Sequence, residues 1–309
     1  MSNYTANALI NDPNHSWSKI LSMIPAGSTV LDVGCSSGNL GRELMAQKQC
    51  IVDGIELDPG DATIAAKSLR HVWVFNIEDA EAVKQLNKKY DVIIFADVLE
   101  HLVDPASTLK RVKGLLKPNG SIVFSIPNMA HVSIRLALLR GEFRHTETGI
   151  VDKTHLHFYD LDEVKRVFHE AGMHFSRLDQ SPYPYPASLI RTLLSKVGLT
   201  ATPKTLAILA EPSATAFQFV GAASFGPPAK DPVIPPAIQP LHNDMHELED
   251  KLQKANNELK EYVVQVKIRD AHIAELKRQI REHFNSKMHK LARTAAAPYR
   301  GVRGALRRK

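Results

Sequence analysis

Between Ser16 and Ala223 the spacing of apolar residues changes period again and again, and no other feature restricts the fold of this chain so tightly. Ser16–Ile24 places Trp17, Ile20, Leu21 and Ile24 on one helical face, and Thr29–Val33 then reads as a short buried strand. The same pair recurs as helix Asn39–Lys48 with strand Cys50–Glu56, and as helix Asp61–Ser68 with strand His71–Phe75. Helix Glu81–Asn87 precedes Asp91–Phe95, a fully apolar fourth strand. Helix Pro105–Leu116 is closed by the turn residues Lys117-Pro118-Asn119-Gly120, and strand Ser121–Ile126 follows. Helix Leu161–Ala171 ends at Gly172 before strand Met173–Leu178, and Ala216–Ala223 is a candidate seventh strand. Strands alternating with helices of about ten residues make βαβ units, so the expected fold is α/β: a doubly wound, mostly parallel seven-stranded sheet covered on both faces.

The rest of the chain divides by composition. Residues 1–226 form the α/β zone, and residues 227–240 hold six prolines in fourteen positions. Such density excludes helix and ladder and favours a semi-rigid spacer. In residues 241–285 a heptad seam appears, with Met245, Leu252, Leu259, Val266, Ile273 and Ile280 at position a. Position d holds Leu248, Ala255, Tyr262, Arg269, Leu276 and His283, so it carries two polar breaks. That pattern predicts a coiled-coil helix and a homo-oligomer. Residues 286–309 form a basic tail in which Pro298, Gly301 and Gly304 should interrupt any long helix.

The net charge of +6 is confined to that tail, whose eight basic residues face no acid, so residues 1–285 sum to −2. A nearly neutral globular part with 6% aromatics excludes a nucleic-acid-binding domain and fits no base-stacking platform. The tail fits an anionic membrane surface or a partner protein such as a glycosyltransferase. Cys35 and Cys50 have no metal-ligand spacing. Met1–Asn14 is polar and no apolar run approaches the length of a membrane span, so a cytoplasmic protein, peripheral at the inner face of the membrane, is expected.

Val30-Leu31-Asp32-Val33-Gly34-Cys35-Ser36-Ser37-Gly38-Asn39-Leu40-Gly41 is a strand, a glycine loop and a helix start. In a doubly wound sheet ligands sit beyond the carboxyl ends of such strands. Gly34 and Gly38 would let backbone approach a ligand where a Cβ would collide with it. The loop lacks the Lys-Ser/Thr of a phosphate loop, and its Gly-x3-Gly spacing departs from the dinucleotide fingerprint. Glu56 ends the second strand 22 residues after Gly34, where a carboxylate can accept from both hydroxyls of a ribose.

LDVGCSSGNLG, GIELDP, VFNIED, YDVIIFADVLEHLVDP and LKPNGSIVFSIPN follow one another in an order that resembles class I S-adenosylmethionine (SAM)-dependent methyltransferases, and within them the ubiquinone-biosynthesis O-methyltransferase branch. Residues 126–173 are similar to methyltransferases found with bacterial surface-glycan assembly. The resemblance covers roughly residues 15–226. It implies that Asp32 orients the loop and the amino group of the SAM methionine moiety, with Gly34, Cys35 and Gly38 lining that moiety. It further implies that Glu56 holds the ribose, that Leu57 packs on adenine, and that Asn76, Ile77 and Glu78 line the adenine side. Asn76 stands where the family usually has Asp, so its amide oxygen accepts without charge, and Glu78 or Asp79 could compensate. Asp97 would face the methionine end or the substrate.

A hydroxyl acceptor needs a base near the working pH, and histidine suits that task. His155 ranks first, then His101, one helical turn from Asp97, then His145 in a candidate lid. Asp152, His155 and His157 lie too close in sequence to close on one ion without a distant fourth ligand, so no metal site is expected. Arg135, Arg140 and Arg144 either read an anionic acceptor or form a solvated helix edge. The functional expectation is O-directed methyl transfer to a glycan or lipid-linked sugar. The alternatives are a small-molecule acceptor, such as a quinone precursor or secondary metabolite, or a SAM-binding scaffold acting through its coiled coil.

Overall fold

The computed structural model describes residues 11–225 and 242–305, and divides the chain into two units, Met1–Pro240 and Leu241–Lys309. The proline-rich stretch 227–240 lies outside the described residues.

In the first unit, α1 (Ser16–Met23) leads into β1 (Thr29–Val33), α2 (Asn39–Lys48), β2 (Ile51–Glu56), α3 (Pro59–Ala65), β3 (His71–Val74) and α4 (Ala80–Val83). Then come β4 (Tyr90–Ala96), α5 (Pro105–Val112), β5 (Leu116–Pro127), α6 (Val132–Leu139), α7 (Leu161–Glu170) and β6 (His174–Pro182). Helices α8 (Ala187–Ser195), α9 (Pro203–Leu209) and α10 (Pro212–Thr215) precede β7 (Ala216–Ser224). The seven strands form one sheet in the order β3-β2-β1-β4-β5-β7-β6. Strands β1 to β5 are parallel, while β7 runs antiparallel between β5 and β6. The sheet is therefore the doubly wound, mostly parallel, seven-stranded arrangement that the alternating periods imply.

Alternation along the strands builds two cores. Leu31, Val33, Ile93, Phe95 and Phe124 point to one face, where they meet Leu109, Val112 and Phe168 of α5 and α7. Val30, Val52, Val92, Ile94 and Val123 point to the other and meet Ile20, Ile24, Leu40 and Leu44 of α1 and α2. Both faces of β4 are buried, which is why its sequence is a continuous apolar run rather than an alternation. A third cluster joins α6, α8 and α9 through Val132, Leu136, Ile190, Leu194 and Leu209.

Several boundaries differ from the expected ones for local reasons. Helix α3 starts earlier, at Pro59, because Asp58 caps it by accepting from Asp61 N and proline fits the first turn. Helix α5 stops at Val112, and a 3-10 turn, Lys113–Leu115, hands the chain to β5 before the Pro-Asn-Gly sequence is reached. Helix α4 is a single turn, capped by Asp79, which accepts from Glu81 N and Ala82 N. Helices α6, α8, α9 and α10 have no counterpart in the sequence reading. Their apolar residues face a small local cluster, so they lack a long periodic stripe.

The second unit is one helix, α11 (His242–Ala305), which corrects the expected break in the tail: it runs through Pro298, Gly301 and Gly304. A proline in a helix removes one ladder bond, and Ala295–Ala297 just before it are the strongest helix formers. Along α11 Leu259, Tyr262, Ile273, Leu276 and Ile280 are all exposed.

Gly221 in β7 faces Phe124: a Cβ there would stand 2.6 Å from Phe124 Cζ and 2.9 Å from the Arg177 carbonyl oxygen. Neither a core ring nor a ladder carbonyl can move away. Gly221→Ala should therefore cost about 1–3 kcal/mol, read as a lowered melting temperature of the full chain.

Candidate cofactor and acceptor site

The order of strands reverses between β1 and β4: the chain leaves β1 toward β2 and β3, then returns on the far side to β4. Their carboxyl ends therefore face a crevice that no crossover covers. Backbone strain gathers there. Gly34, Ser36 and Gly38 have φ of 71°, 46° and 76°, and Asp97 at the end of β4 has φ of 55°.

The two glycines answer first to the protein itself. A Cβ on Gly34 would meet Val98 Cγ2 at 2.7 Å, and one on Gly38 would meet Ala65 Cα at 3.1 Å. Positive φ and these neighbours require glycine even before a ligand is considered.

Asp32 is buried, and its Oδ2 accepts no hydrogen bond among the described residues. Burial, then repulsion from Glu56, pushes its carboxyl up to about 7. A buried acceptor without a donor lacks a partner, and an ammonium group of a ligand in the crevice would supply one. Glu56 turns toward the glycine loop: its Oε2 accepts from Ser36 N at 2.7 Å, and its Oε1 from Leu57 N at 2.8 Å and Asp58 N at 2.9 Å. A carboxylate has about four acceptor positions, so one stays open for a hydroxyl. Leu57 beside it is 66% exposed, an apolar platform at the mouth. Cys35 is buried and its thiol is pushed far up by burial, then by Asp32 and Glu56, so it is packing and not a nucleophile. These features fit an adenosyl ligand with an ammonium end.

On the adenine side, Asn76 is exposed and its Oδ1 accepts from Glu78 N. Ile77 is packed in the core. The Glu78 carboxylate accepts from Val103 N and Asp104 N, so it pins the segment before α5.

At the end of β4, Asp97 accepts from Gln218 Nε2 at 2.6 Å. Burial raises its carboxyl, while the Gln218 bond and the charge of His101 work against that rise. Three residues on, Glu100 is fully buried and neither carboxylate oxygen has a hydrogen-bond partner among the described residues. Burial, then Asp97, raises the Glu100 carboxyl well above its ordinary value, which favours its protonated form. The Glu100 carbonyl accepts from Leu156 N and His157 N, which brings residues 154–157 against β4.

That pairing joins His101 and His155, whose rings lie 4.7 Å apart, edge to face. His155 Nδ1 lies 3.1 Å from the Ile150 carbonyl oxygen, and His101 Nδ1 lies 3.1 Å from that of Thr154. A carbonyl only accepts, so each Nδ1 carries a proton, and in the neutral His155 ring Nε2 keeps the lone pair. His155 Nε2 faces Glu100 Oε1 at 3.9 Å. Burial lowers the His155 imidazole, against the bond to Ile150, so at neutral pH it is uncharged.

Ligand atoms of Glu100, His101 and His155 lie within 4.8 Å of one another, a set that could hold a divalent ion. The Asp152/His155/His157 set does not assemble: Asp152 accepts from Thr154, and His157 reaches the Val103 carbonyl. His145 stands apart from the pair, edge-on to Phe143 at 5.5 Å. Glu100 carried no signal in the sequence beyond its place before His101, because its role depends on burial. Of the arginines, Arg135 donates to the Ala130 carbonyl and Arg140 to the Leu136 carbonyl and Glu142.

Fold and crevice together define a class I SAM-dependent methyltransferase domain. A family model described as a methyltransferase domain matches residues 11–175, more than half of the chain, and the chain belongs to that family. S-adenosylmethionine is its cofactor. The ubiquinone biosynthesis O-methyltransferase of Acinetobacter baylyi is 33% identical over 123 residues, 38% of this chain and 51% of that protein. The enzyme of the same name from Acinetobacter baumannii is 36% identical over 126 residues, 38% of this chain and 52% of that protein. The chain thus spans about half the length of the curated relatives it matches. A Thermotoga maritima SAM-dependent methyltransferase, possibly a histamine N-methyltransferase, has a TM-score of 0.48 at 15% identity, covering 71% of this chain and 92% of that one.

The unpartnered carboxylate of Asp32 predicts a pH dependence for SAM affinity. Below about 7 the carboxyl is protonated and offers no charge to an ammonium, so affinity should fall by about tenfold per pH unit as pH drops from 7 to 5. Asp32→Asn should weaken binding at pH 8 by about 10- to 100-fold and flatten that dependence. Calorimetric titration with SAM from pH 5 to pH 8 reads both.

Proposed function

We propose that this protein transfers a methyl group from S-adenosylmethionine to a hydroxyl oxygen, with His155 as the general base. The observation that carries this reading is the His155 ring, part-buried and uncharged, with Nδ1–H held by the Ile150 carbonyl and Nε2 left to accept a proton. When bound, SAM supplies a methyl group made electrophilic by its sulfonium. Asp32, Gly34, Cys35, Gly38, Glu56, Leu57 and Asn76 would bind and orient it, and Asp97 would face its reacting end. The acceptor hydroxyl gives its proton to His155 Nε2 as the oxygen attacks. His101 packs edge-on against that ring, and burial drives the Glu100 carboxyl beside Nε2 toward its uncharged form. His145 belongs to the 142–151 segment and shares with His155 a ring contact to Phe158, at 6.5 Å in each case, so it would act in closure.

The resemblance of residues 126–173 supports an acceptor in bacterial surface-glycan assembly, a lipid-linked sugar included; a free small hydroxylated molecule is the alternative. No helix among the described residues is long and apolar enough to cross a membrane. A cytoplasmic enzyme, held near the inner membrane surface or a glycosyltransferase by the basic residues of the tail, fits the charge distribution. The exposed heptad seam of α11, with Leu259, Ile273 and Ile280 at position a, supports assembly of copies through a coiled coil.

His155→Ala should lower kcat by about 10²- to 10⁴-fold, with SAM affinity unchanged by calorimetry. In the wild type the acid limb of kcat should lie below the ordinary imidazole value of 6.5, because burial depresses His155 and only the neutral ring is a base. Activity lost to a chelator and restored by added Mg²⁺ would replace the base with a metal held by Glu100, His101 and His155. Sedimentation of the full chain should give a multiple of the single-chain mass, reduced to that mass by Ile273→Glu together with Ile280→Glu. A wild-type chain that sediments alone would end the coiled-coil reading.

A further inference from the structure

Beside the histidine pair, α6, the segment 142–151 and the start of β7 line an open cleft of about 370 Å³. That is the size of a small-molecule site. Ile134, Ala137, Phe143, Ile150, Val151 and Phe217 line it. Two of these residues tie it to the reacting end of the crevice. The carbonyl of Ile150 holds His155 Nδ1, and Phe217 precedes Gln218, which donates to Asp97.

The polar side chains on the wall are mostly spoken for. Ser133 Oγ bonds His131 Nδ1 at 2.7 Å. Thr146 Oγ1 donates to the carbonyls of Thr148 and Val151, and Glu142 pairs with Arg140 at 2.7 Å. Arg144 lines the same cavity, makes no salt bridge among the described residues, and acts on Glu142 only through its charge. A bare sugar brings several hydroxyls, and each would lose its water without gaining a partner on such a wall. An apolar body loses nothing there, and an acidic group would meet the Arg144 guanidinium.

We propose that this cavity is the acceptor subsite and takes an amphiphilic anion: an apolar body between Ile134, Phe143 and Phe217, its acidic group on Arg144, and its hydroxyl toward His155. This rests on the methyl-transfer reading and narrows the acceptor within it. Lipid-linked sugar phosphates and small aromatic acids share that chemistry, whereas an unmodified glycan does not.

A pair of dyes of one shape tests the assignment in the full chain saturated with S-adenosylhomocysteine: neutral N-phenyl-1-naphthylamine and anionic 8-anilinonaphthalene-1-sulfonate. Both should bind. Ala137→Trp, which fills the cavity, should weaken both by at least about tenfold. Arg144→Gln should weaken only the sulfonate, by about three- to fivefold. Dodecanoate should displace both dyes and maltotriose neither. Dyes that bind Ala137→Trp as tightly as wild type, a sulfonate indifferent to Arg144→Gln, or displacement by maltotriose in place of dodecanoate would each overturn the proposal. S-adenosylhomocysteine affinity, read by calorimetry on the same samples, should be equal in all three chains. A wild type that binds the dyes in this pattern but not S-adenosylhomocysteine would remove the methyl-transfer reading and leave the cavity assignment standing.

Discussion

The pairing of β1 with β4 is the constraint on which the rest depends. Their connections run to opposite sides of the sheet, so the two carboxyl ends are left open side by side. The chain must turn sharply at both, and it does so with Gly34, Ser36 and Gly38 after β1 and Asp97 after β4 in left-handed backbone. The glycine turn is held from below by Val98 and Ala65, and from above by the Glu56 carboxylate on Ser36 N. Cofactor crevice and strand ends are thus one mechanical unit.

Electrostatics in this unit follow from burial. Asp32, Asp97 and Glu100 are three carboxyl groups on two strand ends, all raised chiefly by loss of water. They differ in what remains for each to do. Among the described residues Asp32 Oδ2 lacks a donor and suits a cationic ligand, Asp97 is bonded to Gln218 from β7, and Glu100 is driven toward its protonated form beside an imidazole. Carboxyl groups in one neighbourhood can therefore hold different charges at one pH.

The glycine turn, the place of Glu56 at the end of β2 and the alternation of strands with helices were legible in the sequence because they are local. A buried parallel strand is an apolar run, and a left-handed turn next to a helix start needs glycine. The histidines were legible only as candidates. His155 and His101 lie 54 residues apart, and their pairing depends on the Glu100 carbonyl catching Leu156 N and His157 N. The short helices α6, α8 and α9 escaped notice because a helix that buries one or two residues in a side cluster leaves too few periodic positions to read.

By itself, the sequence determined the layered α/β fold, the cofactor loop, and the apolar seam of a helix that follows a proline-rich stretch, since each is written in spacing within about thirty residues. Only the tertiary structure decided which histidine stands by which carboxyl, that Arg144 and not Arg135 or Arg140 lines the cavity beside them, and that α11 continues through Pro298. Those outcomes rest on burial and on partners distant in the chain, and desolvation is a property of the packed molecule rather than of any stretch of it.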